Sequence, residues 1–260
     1  MKVITVCTLK GGAGKTTTAE NLATGITKRG YKVLVIDTDG QTTLTTHTGI
    51  YANKCANNMY TLFCAIRDGE KYDLGEYIQP TQKHNFDIIP GSTELMKADF
   101  VFYNAMEWKG AIKQIIEKVK KKYDYCIIDT HPSAGVMTLS SLYASNTVII
   151  PMQLNIDNFQ GLAQVFSVVE EVKQTGNPKL NIDGILLCMV SPNQNIQKLT
   201  KAQTEQLADA IGTKVYNTVI HKASAVDESH TTRESVYTYA KRSKPALDYD
   251  AFTDEFLSNN

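Results

Sequence analysis

Lys10 and Lys15, set among Gly11, Gly12, Ala13 and Gly14 and followed by Thr16 and Thr17, are the residues of this chain best suited to grip a polyphosphate. An apolar run, Val3-Ile4-Thr5-Val6-Cys7, precedes them and a helical stretch follows. In a strand–turn–helix unit the first helical N–H groups lack intrahelical acceptors, and the positive end of the helix dipole lies beside them. Glycines let that backbone approach phosphate oxygens in torsions a Cβ would forbid. Lys15 is placed to reach the β- and γ-phosphates, and the Thr16 hydroxyl to ligate Mg²⁺. The general pattern G-x-x-x-x-G-K-[ST] fails at its first position, Leu9, and the loop instead reads K-G-G-x-G-K-T-T. Lys10 is therefore a second lysine in a loop that already has its phosphate lysine.

Carboxylates follow at the ends of apolar runs. Tyr125-Cys126-Ile127-Ile128 leads into Asp129, the pattern of a Walker B acid that holds Mg²⁺ from the end of a buried strand. Lys32-Val33-Leu34-Val35-Ile36 leads into Asp37-Thr38-Asp39, whose two acids point the same way on an extended segment.

Parallel strands and crossover helices are what can position these groups together. Runs apolar on both faces (Val33–Ile36, Tyr125–Ile128, Thr147–Ile150, Ile182–Val190, Lys214–Ile220) read as strands of a sheet covered on both sides. Helical patterns lie between them: Thr18–Arg29 closed by Gly30, Tyr60–Arg67, Trp108–Lys121, Asn158–Lys173 and Gln197–Ile211. Phe86–Ile89 reads as a further strand, and Ile78 as part of a minor one. The alternation predicts an α/β, doubly wound, mostly parallel sheet with helices on both faces, and one domain over 1–260. Ligands of such sheets bind at the carboxyl ends of the strands, where Lys10–Thr17, Asp37/Asp39, Asp129 and Pro151–Gln153 all fall.

Composition bounds the function classes. Of 260 residues 42% are hydrophobic and 21% charged, and the net charge is zero, so any nucleic-acid site must be a local patch. No run approaches the roughly 20 apolar residues needed to span a bilayer, and the chain enters a strand at once, so no signal peptide is expected. The five cysteines are scattered without metal spacing; Cys7, Cys126 and Cys188 sit in strand-like runs as small hydrophobes. A reduced, cytoplasmic protein is expected.

The K-G-G-x-G-K loop resembles the deviant Walker A motif of the ParA/MinD ATPases. Asp37-Thr38-Asp39-Gly40-Gln41 is similar to that family's D-x-D-P-Q, with Gly40 for proline. Pro151-Met152-Gln153 with Gly161-Leu162 resembles its P-x-Q…G-L switch, and Phe86–Leu95 its D-h-h-P…L stretch (h, apolar). The resemblance runs from Lys2 to about Tyr249. It implies an ATP- and Mg²⁺-dependent homodimer in which Lys10 reaches the partner's nucleotide, Asp39 positions the attacking water, Asp37 supports the Mg²⁺ shell, and Pro151 and Gln153 sense the nucleotide. His221, in Val219-Ile220-His221-Lys222 where the family reads V-I-P-R, is implied to lie near the adenine. His131 stands where the family has a proline, in Asp129-Thr130-His131-Pro132-Ser133, and no catalytic role is expected of it.

The resemblance is nearest to partition ATPases of the ParA type. These bind DNA non-specifically as the ATP dimer and move plasmid or chromosome cargo through a ParB-like adaptor that stimulates hydrolysis. Such a protein is cytoplasmic and associates with the nucleoid when ATP is bound. The phosphate loop starts within ten residues of Met1, so an N-terminal helix-turn-helix arm for operator binding is not expected. Lys222, Arg233, Lys241, Arg242 and Lys244 outnumber Asp227, Glu228 and Glu234 in the same stretch, a modest local surplus for phosphate-backbone binding. A second family arginine is replaced by Ser191-Pro192-Asn193-Gln194. The alternative is a MinD-like positioning ATPase acting on a protein or membrane surface. Membrane cycling would need a basic amphipathic C-terminal helix, whereas this end carries Asp250, Asp254 and Glu255. An iron–sulfur reductase would need loop cysteines, and a ligase such as dethiobiotin synthetase would not need both the second lysine and the switch segment.

Overall fold

The computed structural model describes residues 1–105, 107–191 and 195–259, with side chains throughout these except at 195–198. In chain order the strands are β1 (Lys2–Val6), β2 (Val33–Asp37), β3 (Gln79–Pro80), β4 (Asp87–Ile89), β5 (Tyr125–Asp129), β6 (Thr147–Gln153), β7 (Asn181–Val190) and β8 (Val215–His221). The helices are α1 (Lys15–Lys28), α2 (Thr43–His47), α3 (Met59–Arg67), α4 (Ala98–Phe102), α5 (Trp108–Val119), α6 (Val136–Ala144), α7 (Ile156–Thr175), α8 (Asn195–Ala210), α9 (Ser224–Thr232), α10 (Val236–Tyr239) and α11 (Lys244–Ser258).

Among the described residues the strands form one sheet in the order β3-β4-β2-β5-β1-β6-β7-β8. All neighbours are parallel except the two-residue edge pair β3–β4. Side-chain alternation divides the core. Val3, Leu34, Ile36, Cys126 and Ile128 face α3, α5 and α6, whereas Ile4, Val6, Val33, Val35 and Ile127 face α1, α10 and α11. A third cluster joins Val148, Ile150 and Met152 of β6 to α7 and to Ile185 and Leu187 of β7. The doubly wound architecture is as the strand–helix alternation predicts. β1 is the switch point, with β5 on one side and β6 on the other, and its carboxyl end opens into the phosphate loop.

Expected and observed elements differ mainly at the ends. The minor strand begins one residue after Ile78, and α5 stops two residues before Lys121. The short helices α2, α4, α9 and α10 carry too little periodicity to be read, and α6 (VMTLSSLYA) is buried on so many sides that its pattern has no polar face. The acidic C-terminal stretch is α11. Ser243 caps it by accepting from the Ala246 N–H, and its Tyr249, Phe252 and Phe256 are buried in the core beneath the sheet. Asp250 and Asp254 of its outer face pair with Arg29, the residue that closes α1.

Candidate functional site: a phosphate loop facing three carboxylates

The loop from Lys10 to Gly14 leaves β1 and turns into α1 with Gly12 at φ 72° and Gly14 at φ 91°, the left-handed region where a side chain is strained. A Cβ at Gly11 or Gly12 would meet nothing within 4 Å, so the loop is an open cradle on that side. Lys15 is buried and its ammonium reaches back to the Lys10 carbonyl at 3.4 Å. Burial lowers the Lys15 pKa, and the charge of Asp129 works against that.

Thr16 donates its hydroxyl to Asp129 Oδ2 at 2.8 Å. Asp129 is wholly buried, and its Oδ1 has no hydrogen-bond partner. Burial, then the neighbouring Asp37 charge, pushes its carboxyl well above the usual range, opposed by Thr16 and Lys15. An orphaned buried carboxylate oxygen beside a hydroxyl is a fitting donor set for a hard divalent cation. Thr16 and Asp129 are the residues that could hold one.

Asp37 and Asp39 are brought to the same place but do different work. Asp37 Oδ2 accepts from both the backbone N–H and the hydroxyl of Thr45 (2.9 and 2.6 Å), and Oδ1 accepts the Asp39 N–H. Burial raises its carboxyl to about 6 despite those bonds. Both its oxygens are thus engaged in fixing α2 and the turn that presents Asp39. Asp39 accepts the Gln41 N–H and lies 4.0 Å from His131 Nε2, an approach between residues 92 positions apart that spacing could not reveal. Gly40 also has a local cause: a Cβ there would come within 2.6 Å of Met96 Cγ and 2.8 Å of the Met96 backbone nitrogen. Because backbone cannot swing aside, the proline of the related motif has no room in this chain.

The Pro151–Gln153 segment meets the loop directly. Pro151 lies past the last β1–β6 pair, Val6 with Ile149, on the side of β6 that β1 has vacated, so its missing N–H breaks no ladder. Gln153 donates to the Gly12 carbonyl at 2.6 Å and to Met189 Sδ at 3.0 Å. Gly161 of α7 supports Lys10: a Cβ at 161 would lie 2.9 Å from Lys10 Cγ. No sequence signal showed either contact.

His221 is fixed twice by Asp248, through its backbone N–H (2.9 Å) and through Nδ1 (2.8 Å). It borders a mainly apolar hollow lined by Gly14, Thr17, Met189, Ile220, Val226 and Tyr249, next to the phosphate loop. Lys222 is exposed at its rim. The other basic candidates differ in what they touch. The Arg233 guanidinium lies 4.5 Å from the Tyr51 ring centroid, and Lys244 pairs with Asp248 at 3.1 Å. Among the described residues Lys222, Lys241 and Arg242 have no acidic partner. Residues 192–194, which occupy the place of the missing arginine, lie outside the described residues.

Comparisons with known proteins agree with this geometry. A family described as "AAA domain" (AAA_31) matches residues 1–182. The sporulation initiation inhibitor protein Soj of Bacillus subtilis is 32% identical over 258 residues, covering 99% of both chains. The chromosome partitioning protein ParA of Myxococcus xanthus is 27% identical, covering all of this chain and 89% of its own. Among solved structures, cobyrinic acid a,c-diamide synthase from Mycobacterium smegmatis with bound ATP analogue and magnesium superposes with a TM-score of 0.85 at 25% identity, covering 99% of this chain and 94% of its own. By loop, sheet order and full-length similarity, the chain belongs to the ParA/MinD branch of P-loop ATPases.

Proposed function

We propose that the whole chain acts as one ATPase unit of the partition type: an ATP- and Mg²⁺-dependent homodimer that binds DNA without sequence preference and moves cargo through a ParB-like adaptor. The observation that carries this reading is Lys10. Its stem rests on Gly161, and among the described residues its ammonium has no acceptor in its own subunit. Lys15 already serves the subunit's own phosphates, so a second lysine held at the loop's outer face suits a nucleotide in a facing copy. The full-length similarity to Soj and ParA supports the partition role over the amide-forming chemistry named for the cobyrinic acid enzyme.

The residues divide the hydrolysis between positioning and charge. The N–H groups from Gly11 to Thr17 and the Lys15 ammonium would bind the β- and γ-phosphates. Thr16 and Asp129 would hold Mg²⁺, with Asp37 behind them fixing the turn; the ion neutralises charge on the phosphates. Asp39, freed from all but the Gln41 N–H and near His131, would orient the attacking water. The hollow beside His221 would take the adenine. Lys222, Lys241 and Arg242 are the basic residues best placed to meet phosphate backbone, with Arg233 and Lys244 partly committed elsewhere. α11 buries its apolar face against the sheet and α1, which disfavours the MinD-like membrane alternative.

DNA binding by the purified protein tests the reading: unrelated duplexes, several salt concentrations, with ATP, ADP or no nucleotide, and with Asp39→Ala to hold the ATP state. Binding only with ATP, indifferent to sequence and steeply weakened by salt, is expected. An ATP dimer that ignores DNA at low salt would overturn it.

A further inference from the structure

Three of the chain's five histidines converge on one buried glutamate, and none of them belongs to the phosphate chemistry above. Glu20 lies one turn into α1 and is wholly buried. Its Oε1 lies 3.0 Å from Nε2 of His84, also wholly buried, from the loop before β4. Its Oε2 lies 3.1 Å from Nδ1 of His47 at the end of α2 and 3.5 Å from Nε2 of His230 in α9. The His47 and His230 rings are stacked 3.7 Å apart. His230 Nε2 is buried and makes no hydrogen bond, although it faces the carboxylate. The ligand atoms of Glu20, His47 and His230 all lie within 4.8 Å of one another.

We propose that Glu20, His47 and His230 form a second metal site, for a borderline transition ion of the Zn²⁺ class. Two imidazoles and a carboxylate are a complete protein ligand set for zinc with one position left open, and imidazole selects against Mg²⁺. The stacked pair places two ring nitrogens beside one carboxylate oxygen, and the unpartnered one, His230 Nε2, has no other use for its lone pair. Binding turns the two rings out of their stack so that the lone pairs converge. His84, on the other carboxylate oxygen, holds Glu20 in place as an outer partner. Access comes from the phosphate side: the His47 and His230 side chains are 12% and 18% exposed and border the cleft that holds the loop. The site is separate from the Thr16–Asp129 position, and it joins α1, α2 and α9, three elements that wall the nucleotide cleft.

The test uses the full chain stripped of metal and free of nucleotide, titrated with Co²⁺ as a visible-absorption probe and with Zn²⁺ by calorimetry. One equivalent is expected to bind, to survive millimolar Mg²⁺, and to weaken on the order of 100-fold in His47→Gln and in His230→Gln, and about 10- to 100-fold in His84→Gln. Absence of stoichiometric binding, or binding unaltered in both His47→Gln and His230→Gln, overturns the site. If either variant fails to fold, histidine ring NMR of the unaltered protein decides: Zn²⁺ must shift the His47 and His230 rings together, and a titration that leaves them unmoved refutes the assignment.

Discussion

The side-chain amide of Gln153 donates to the Gly12 carbonyl at 2.6 Å, tying the end of β6 to the middle of the phosphate loop across 141 residues of sequence. The loop's shape is therefore not a property of its glycines alone. Whatever moves the end of β6 moves the cradle, and under the function proposed above this would let the Pro151–Gln153 segment respond to nucleotide. Gln153→Ala removes the hydrogen bond that holds Gly12, worth about 0.5–1.5 kcal/mol net, together with the weaker contacts to Met189 Sδ and from the Asn155 amide. Fluorescent ATP-analogue binding should weaken by about two- to tenfold, with thermal stability nearly unchanged.

Gly161 leaves room for the Lys10 stem. In Gly161→Ala the new Cβ would sit 2.9 Å from Lys10 Cγ, so the lysine must leave its seat. Nucleotide binding by the monomer should persist while ATP-dependent dimerisation weakens on the order of tenfold, or ~1.4 kcal/mol. Light scattering with ATP against protein concentration measures it, and equal loss of both properties would refute the assignment of Lys10 to the partner's site.

Glu20 should make stability depend on pH in the metal-free protein. Burial pushes its carboxyl up, but the hydrogen bonds and charges of His47 and His84 outweigh this and hold it at about 2, against an ordinary 4.5. A carboxyl depressed in the folded state contributes its full stabilisation above the unfolded value and loses it as pH falls through the folded one. Glu20→Gln should therefore cost on the order of 3 kcal/mol in urea unfolding at pH 7. The difference from the parent should shrink steadily below about pH 4.5.

Lys241 and Arg242 stand exposed just before α11 without acidic partners among the described residues. If they meet phosphates, the Lys241→Ala/Arg242→Ala protein should bind DNA more weakly and less salt-sensitively. The slope of log K against log salt should fall by about 0.9 for each phosphate that is no longer neutralised. A weaker complex with an unchanged slope would assign the residues to folding or dimerisation instead.

Much of this fold was legible because its signals are local. A buried parallel strand must be apolar on both faces, so β1, β2, β5 and β6 announce themselves, and the acids at their ends fall at the carboxyl edge by topology. The loop carries its own chemistry in consecutive residues. What escaped is long-range. Glu20 and His84 are separated by 64 residues, and His131 approaches Asp39 across 92. Neither pairing leaves a periodicity. Gly40 was legible as a departure from a motif, but its cause is the backbone of Met96, which only packing brings there. In the basic C-terminal stretch Arg233 lies over the Tyr51 ring and Lys244 pairs with Asp248, interactions that a charge count does not contain.

β1 is flanked by β5 and β6, with Val6 registered against Asp129 on one side and Ile149 on the other. During synthesis β1 therefore waits for well over a hundred further residues before either neighbour exists. Pairing at such sequence distance is slow to form and leaves an apolar strand uncovered meanwhile. The phosphate loop shares that delay, since the Gln153 that holds Gly12 lies farther along still. A nascent chain halted before β6 should be unable to retain nucleotide although its whole loop has been made, so ATP can reward only chains whose central sheet is already closed.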